Sequence, residues 1–100
     1  MADLEVVDPL GRTVRFEGKV WLGHIIEAHP DIKPYRRLVE QALTNLVEVR
    51  RSSSKPDHSL YYMPIPGRDL FMQVIVRQTD WTVRSAHLAK TITGGERLWP

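Results

Sequence analysis

Four histidines, at positions 24, 29, 58 and 87, are the side chains best suited to moving protons near neutral pH. His24 lies in a stretch with helical spacing. Glu27, three residues on, shares its face, so the pair can form an oriented acid/base. His29 precedes Pro30 and is placed to terminate that helix by hydrogen-bonding its last carbonyls. His58 falls in a polar loop and is expected at the surface. The run Trp81-Thr82-Val83-Arg84-Ser85-Ala86-His87 alternates like a strand, which puts Trp81, Val83, Ser85 and His87 on one face and Thr82, Arg84 and Ala86 on the other. A hydroxyl and an imidazole two residues apart can serve one pocket. Arg50, Arg51, Arg68, Arg84 and Lys90 are the cations available as phosphate ligands.

Other chemistries lack their residues. No cysteine is present, which excludes disulfides, zinc–cysteine sites, iron–sulfur clusters and a thiol nucleophile. No His-Glu-x-x-His or comparable spacing occurs, so no metal is expected. A phosphate-cradling glycine loop, a nucleotide-binding fingerprint and a Gly-x-Ser-x-Gly elbow are also missing, and no cofactor is expected.

The elements that must position these residues fit in one domain. The chain has 100 residues, 42% of them hydrophobic and 26% charged, the composition of a single globular unit over residues 1–100, with 1–7 and 89–100 as its flanks. The net charge is +2, and 10 of the 14 basic residues are arginine. Residues 1–50 carry 7 basic and 8 acidic side chains, and residues 51–100 carry 7 and 4. An arginine-biased second half is compatible with a nucleic-acid partner. No apolar run is long enough for a bilayer, so no membrane contact is expected. The start, Met1-Ala2-Asp3-Leu4-Glu5, lacks the basic-then-apolar pattern of a secretion signal, which predicts a cytoplasmic location.

Leu4–Val7 and Thr13–Phe16 flank the turn signal Asp8-Pro9-Leu10-Gly11 and read as a hairpin. Lys19 to Ala28 reads as a helix with Trp21, Leu22, Ile25 and Ile26 as its apolar stripe. A second helix is expected from Tyr35 to Leu46, burying Leu38, Val39, Ala42, Leu43 and Leu46. Val47–Arg51, Ser59–Met63, Leu70–Val76 and Trp81–Leu88 read as strands. Of the neighbours Tyr61 and Tyr62, one is expected in the core and one at the surface. The pattern predicts an α+β domain: an N-terminal hairpin or extended segment, then two helices packed on a four-stranded antiparallel sheet.

The order Trp21-x-x-His24-Ile25-x-x-x-His29-Pro30, then Asn45-Leu46-Val47-Glu48-Val49-Arg50, then Leu60-Tyr61-Tyr62, then Val83-Arg84-Ser85-Ala86, resembles the phage- and bacteria-borne nuclease-like domains of the barnase–EndoU–colicin–RelE superfamily. The similarity spans about residues 8–99. It implies metal-independent RNA cleavage of toxin type through 2′-hydroxyl attack, with RNA as substrate and a cognate antitoxin or immunity protein as partner. The family's helix histidine falls on His24, its His-Pro histidine on His29, its strand arginine on Arg50, its tyrosine on Tyr62 and its hydroxyl residue on Ser85. The chain departs from the pattern at Met63, where the family has a basic residue, and at His87, where it has an aromatic one. The first departure implies weaker phosphate binding; the second offers another acid/base. The alternative is a catalytically inactive nucleic-acid- or protein-binding domain on the same scaffold.

Overall fold

A single carboxylate organises the first pair of strands. Asp8 accepts the backbone N–H groups of Leu10 at 3.0 Å and Arg12 at 2.9 Å, and Gly11 closes the turn at φ +84°. The residues on either side then pair antiparallel as β1 (Leu4–Val7) and β2 (Thr13–Phe16), with Leu4 opposite Phe16. The computed structural model describes residues 3–100; Met1 and Ala2, part of the expected flank, lie outside the described residues.

Residues 18–28 wind as one helical segment, α1. It is α-helical over Gly18–Val20, π-helical over Trp21–Ile25 and α-helical again over Ile26–Ala28. Trp21 and Ile25 are buried and hold the segment to the core. Pro30 ends it by displacing His29 from helical geometry, to φ −133° and ψ 75°. A 3-10 stretch, Pro30–Tyr35, leads into α2 (Arg36–Gln41). The second helix is thus shorter than its apolar pattern predicts. Beyond Gln41 the chain closes turns, with Leu43 N–H on the Glu40 carbonyl at 3.2 Å and Thr44 N–H on that of Gln41 at 3.0 Å. These turns still bury Ala42, Leu43 and Leu46, while Leu38 is only half-buried.

The second half forms β3 (Glu48–Arg51), β4 (His58–Pro64), β5 (Phe71–Arg77), β6 (Thr82–Ala89) and β7 (Arg97–Trp99). All seven strands join one sheet in the order β1-β2-β6-β5-β4-β3-β7, curled into a half-barrel. β3 to β6 are an antiparallel meander; β2 meets β6 in a parallel contact at Arg15 and Thr82. This corrects the expected fold class. The molecule is not two helices on a four-stranded antiparallel sheet but a mixed seven-stranded sheet with two short helices. The hairpin is no appendage, because Val14 and Phe16 are fully buried and draw β2 against the start of β6. The tail adds a strand because Trp99 pairs with Val49 and Arg97 with Arg50.

Strand parity sorts the meander into two faces. The inner face carries the cross-strand row Val49, Tyr61, Val74 and Ala86, and beside it Met63 and Met72. All belong to the core closed by α1, α2 and β2. The outer face carries Arg50, Leu60, Ile75 and Ser85 in one row and Glu48, Tyr62, Gln73 and His87 in the next. After β6 the chain turns back across this outer face near β3 and β4. Gly94, at φ +123°, lies so close that a Cβ there would sit 3.1 Å from the Arg51 carbonyl and 3.2 Å from Leu60 Cδ1.

The two adjacent tyrosines are both fully buried, which corrects the expectation of one at the surface. Tyr61 faces the core and donates its hydroxyl to Asp8; burial, then that hydrogen bond, pushes its phenol above the usual range. Tyr62 faces outward but is covered by the tail, donating to the Thr93 carbonyl at 2.9 Å.

Candidate active site

The site is built where α1 passes the edge of β6. The π-helical turn there carries His24, which is exposed. Opposite it, β6 is irregular. Ile75 pairs with Ser85, but its neighbour Val76 pairs with Val83, so β6 holds one extra residue. This bulge breaks the alternation read from the sequence. Val83 turns into the core, away from Ser85, and Arg84 and Ser85 both line the outer cavity. The expected grouping of Trp81 and Val83 with Ser85, and of Arg84 with the opposite face, is corrected accordingly.

The cavity has a volume of about 240 Å³. Its floor is Leu60 and Ile75, cross-strand partners on β4 and β5. Its far wall is the loop between β3 and β4, which supplies Ser52, Ser54 and Lys55, followed by His58 at the start of β4. The loop is held in shape by its own backbone. Ser52 N–H reaches the His58 carbonyl at 2.9 Å, His58 N–H the Lys55 carbonyl at 2.9 Å, and Lys55 N–H the Ser52 hydroxyl at 3.2 Å. Two imidazoles, two cations and three hydroxyls therefore surround one cavity, and among the described residues no carboxylate lines it. A second cavity, beside β2, is lined by Glu5, Glu17 and Asp80 with Arg15 and two threonines, the opposite electrostatic character.

Of the residues singled out from the sequence, His24, Arg84 and Ser85 meet in the first cavity. His29 and His87 meet each other just beyond it, two residues along β6 from Ser85, with ring centroids 5.2 Å apart. His87 is half-buried and its Nδ1 finds no hydrogen-bond partner among the described residues. Burial, and then the neighbouring His29, lowers its pKa, with Asp31 acting in the other direction. Neutral imidazole is the form this surrounding favours.

The remaining candidates do not reach the cavity. Arg50 donates to Glu48 and, at 3.2 Å, to the Gly95 carbonyl, and Arg97 approaches the same Glu48 at 3.7 Å. Arg51 pairs with Glu96 at 3.4 Å. Tyr62 is sealed between Thr93 and Gln73, whose Nε2 donates to its hydroxyl at 2.7 Å. Arg68 bonds the Tyr35 hydroxyl at 2.5 Å, on the α2 side. Lys90 is exposed past the end of β6, and Glu27, also exposed, makes no hydrogen bond to His24 among the described residues. Met63 packs in the core opposite Met72, so it takes no charge away from the cavity.

Of the other lining residues, sequence reasoning puts His58 at the surface and does not single out Lys55, Ser52 and Ser54, in the polar connection before it. Their signal was the density of hydroxyls and a cation in one short connection. What it lacked was the register that lays the connection against β6. Among the described residues no group of three or more His, Asp or Glu side chains can hold a metal ion, and no helix is long and apolar enough to cross a membrane. Comparison with protein families, with curated proteins and with solved structures finds no match to this chain.

Proposed function

We propose that the chain is a metal-independent endoribonuclease of toxin type, acting on RNA in the cytoplasm. The observation that carries this reading is the lining of the α1–β6 cavity: His24 and His58, Lys55 and Arg84, and three serines, with no carboxylate among them. RNA brings its own nucleophile. The 2′-hydroxyl attacks the adjacent phosphorus, its proton passes to one imidazole, and the bond to the 5′-oxygen breaks as that oxygen takes a proton from a second, protonated imidazole. The products are a 2′,3′-cyclic phosphate and a 5′-hydroxyl. Lys55 and Arg84 neutralise the extra negative charge on the phosphoryl oxygens, and Ser85 offers a hydrogen bond to hold them. His24 and His58 fill the acid and base roles from opposite walls. His87, kept neutral beside His29, is a reserve base at the end of the same strand.

Such an activity inside the cell calls for a cognate antitoxin or immunity protein, and the exposed cavity is the surface such a partner would close. The test is incubation of the purified chain with RNA in the presence of a chelator. Cleavage to cyclic phosphate ends is expected. His24→Ala and His58→Ala should each lower the rate about 10²–10⁴-fold while leaving the melting temperature nearly unchanged. RNA that is bound but left intact would return the chain to the non-catalytic binding reading.

A further inference from the structure

We infer that the cavity takes a single unstacked nucleotide of single-stranded RNA and engages about two of its phosphates; this rests on the reading of the cavity as an RNA site. Three observations point to it. The first is size. At about 240 Å³ the cavity is below the roughly 300–1,000 Å³ of a pocket that encloses a drug-sized ligand, so it has room for one base and its sugar, with the phosphates at the rim and no space for a second nucleotide. The second is its floor. Leu60 and Ile75 form a continuous apolar strip under an otherwise polar rim. Sugar and phosphate have no use for such a strip, whereas the flat face of a base does. A base in a duplex has both faces stacked on its neighbours, so only an unpaired or extruded base can lie on that floor.

The third observation is the charge within reach. Lys55 and Arg84 line the cavity and make no ion pair among the described residues. Arg50, on the same sheet face, is occupied by Glu48, and Arg51, its neighbour along β3, by Glu96. A duplex-binding surface tracks two backbones with many cations; here the cavity offers two. Arg84 owes its place to the bulge in β6, which turns it outward next to Ser85. The irregularity thus supplies one of the two cations, beside a hydroxyl that regular pairing with Ile75 already turns outward.

The test uses the intact chain and a short unstructured oligoribonucleotide carrying one 2′-deoxy sugar at the scissile position, alone and annealed to its complement. Binding to the single strand is expected to exceed binding to the duplex about 100-fold, the cost of extruding a paired base. The single-strand affinity should fall with salt at a log–log slope of about −1.4, from about 0.7 per neutralised phosphate. Arg84→Gln should reduce that slope by about half. Equal or tighter binding to the duplex, a slope several-fold steeper, or no binding of either form would overturn the inference. Single-strand binding as described, with the all-ribose strand left uncut, would overturn the catalytic reading alone and leave this one standing.

Discussion

On the inner side of the meander, Val49, Tyr61, Val74 and Ala86 stand side by side across four strands, all of them fully buried. One residue further along the same strands, Arg50, Leu60, Ile75 and Ser85 stand side by side on the outer side, partly covered by a two-glycine tail and partly open. The backbone hydrogen bonds are common to both rows. What differs is what closes each face. The inner one is sealed by helices and β2 and holds polar groups only where they are paired, as the Tyr61 hydroxyl is with Asp8; the outer one is half sealed, so its polar groups divide into paired ones under the tail and those that line the cavity. Side-chain parity, broken only at the β6 bulge, thereby separates the packed core from the strand residues that line the cavity.

The largest expected contrast comes from truncating one residue that seals the inner face. Leu43, fully buried in the turns after α2, should cost about 2–5 kcal/mol when changed to alanine, measured by denaturant unfolding. Ile75→Ala on the outer face should cost clearly less, because Ile75 is only half-buried. Equal costs would break the distinction between the faces.

A smaller effect is expected where the tail covers the outer face. Gly94→Ala places a Cβ against the Arg51 carbonyl and Leu60 at a positive φ. The strain should destabilise the fold by about 1–3 kcal/mol, read as a lowered unfolding midpoint. An unchanged midpoint would mean that the tail does not clamp the face at Gly94.

The smallest effect is a slope with pH. The folded surroundings hold the His87 pKa below its unfolded value, so the unfolded chain binds the extra proton first as pH falls. Stability from this site is complete above about pH 6.5 and is lost as pH drops towards the depressed folded value. His87→Gln should flatten that acid limb of the stability profile. An identical profile in the variant would show that the burial of His87 beside His29 carries no protonation cost.

These contrasts also mark how far the residues alone could lead. The alternation in β4 and the apolar run of β5 locate strands because period two survives wherever pairing is regular. The stripes around Trp21 and Leu43 locate helical segments because burial needs that spacing. Periodicity fails at β6, since the bulge adds a residue without changing any residue type, and Val83 and Arg84 exchange faces. It fails at α2, where turns bury Ala42, Leu43 and Leu46 as well as a helix would. It cannot see that Arg50 and Tyr62, chosen as site residues, are claimed by Glu48, Gly95 and Thr93 from distant parts of the chain. His24, Arg84 and Ser85 were legible as chemistry; His58 and Lys55 needed the fold to bring their loop to the same cavity.

The tail has a consequence for the extent of the cavity. Its contacts reach back 31 residues to Tyr62 and 45 to Arg50, and they lie on the surface of a sheet whose other face is already packed. Loop closure over such separations is entropically costly, and here it is offset by these hydrogen bonds, by the pairing of β7 with β3, and by Leu98 and Trp99 packed against the core. The same closure that completes the sheet thus also trims the cavity, because Gly94 lies against the Leu60 side of its floor and fixes where that floor ends.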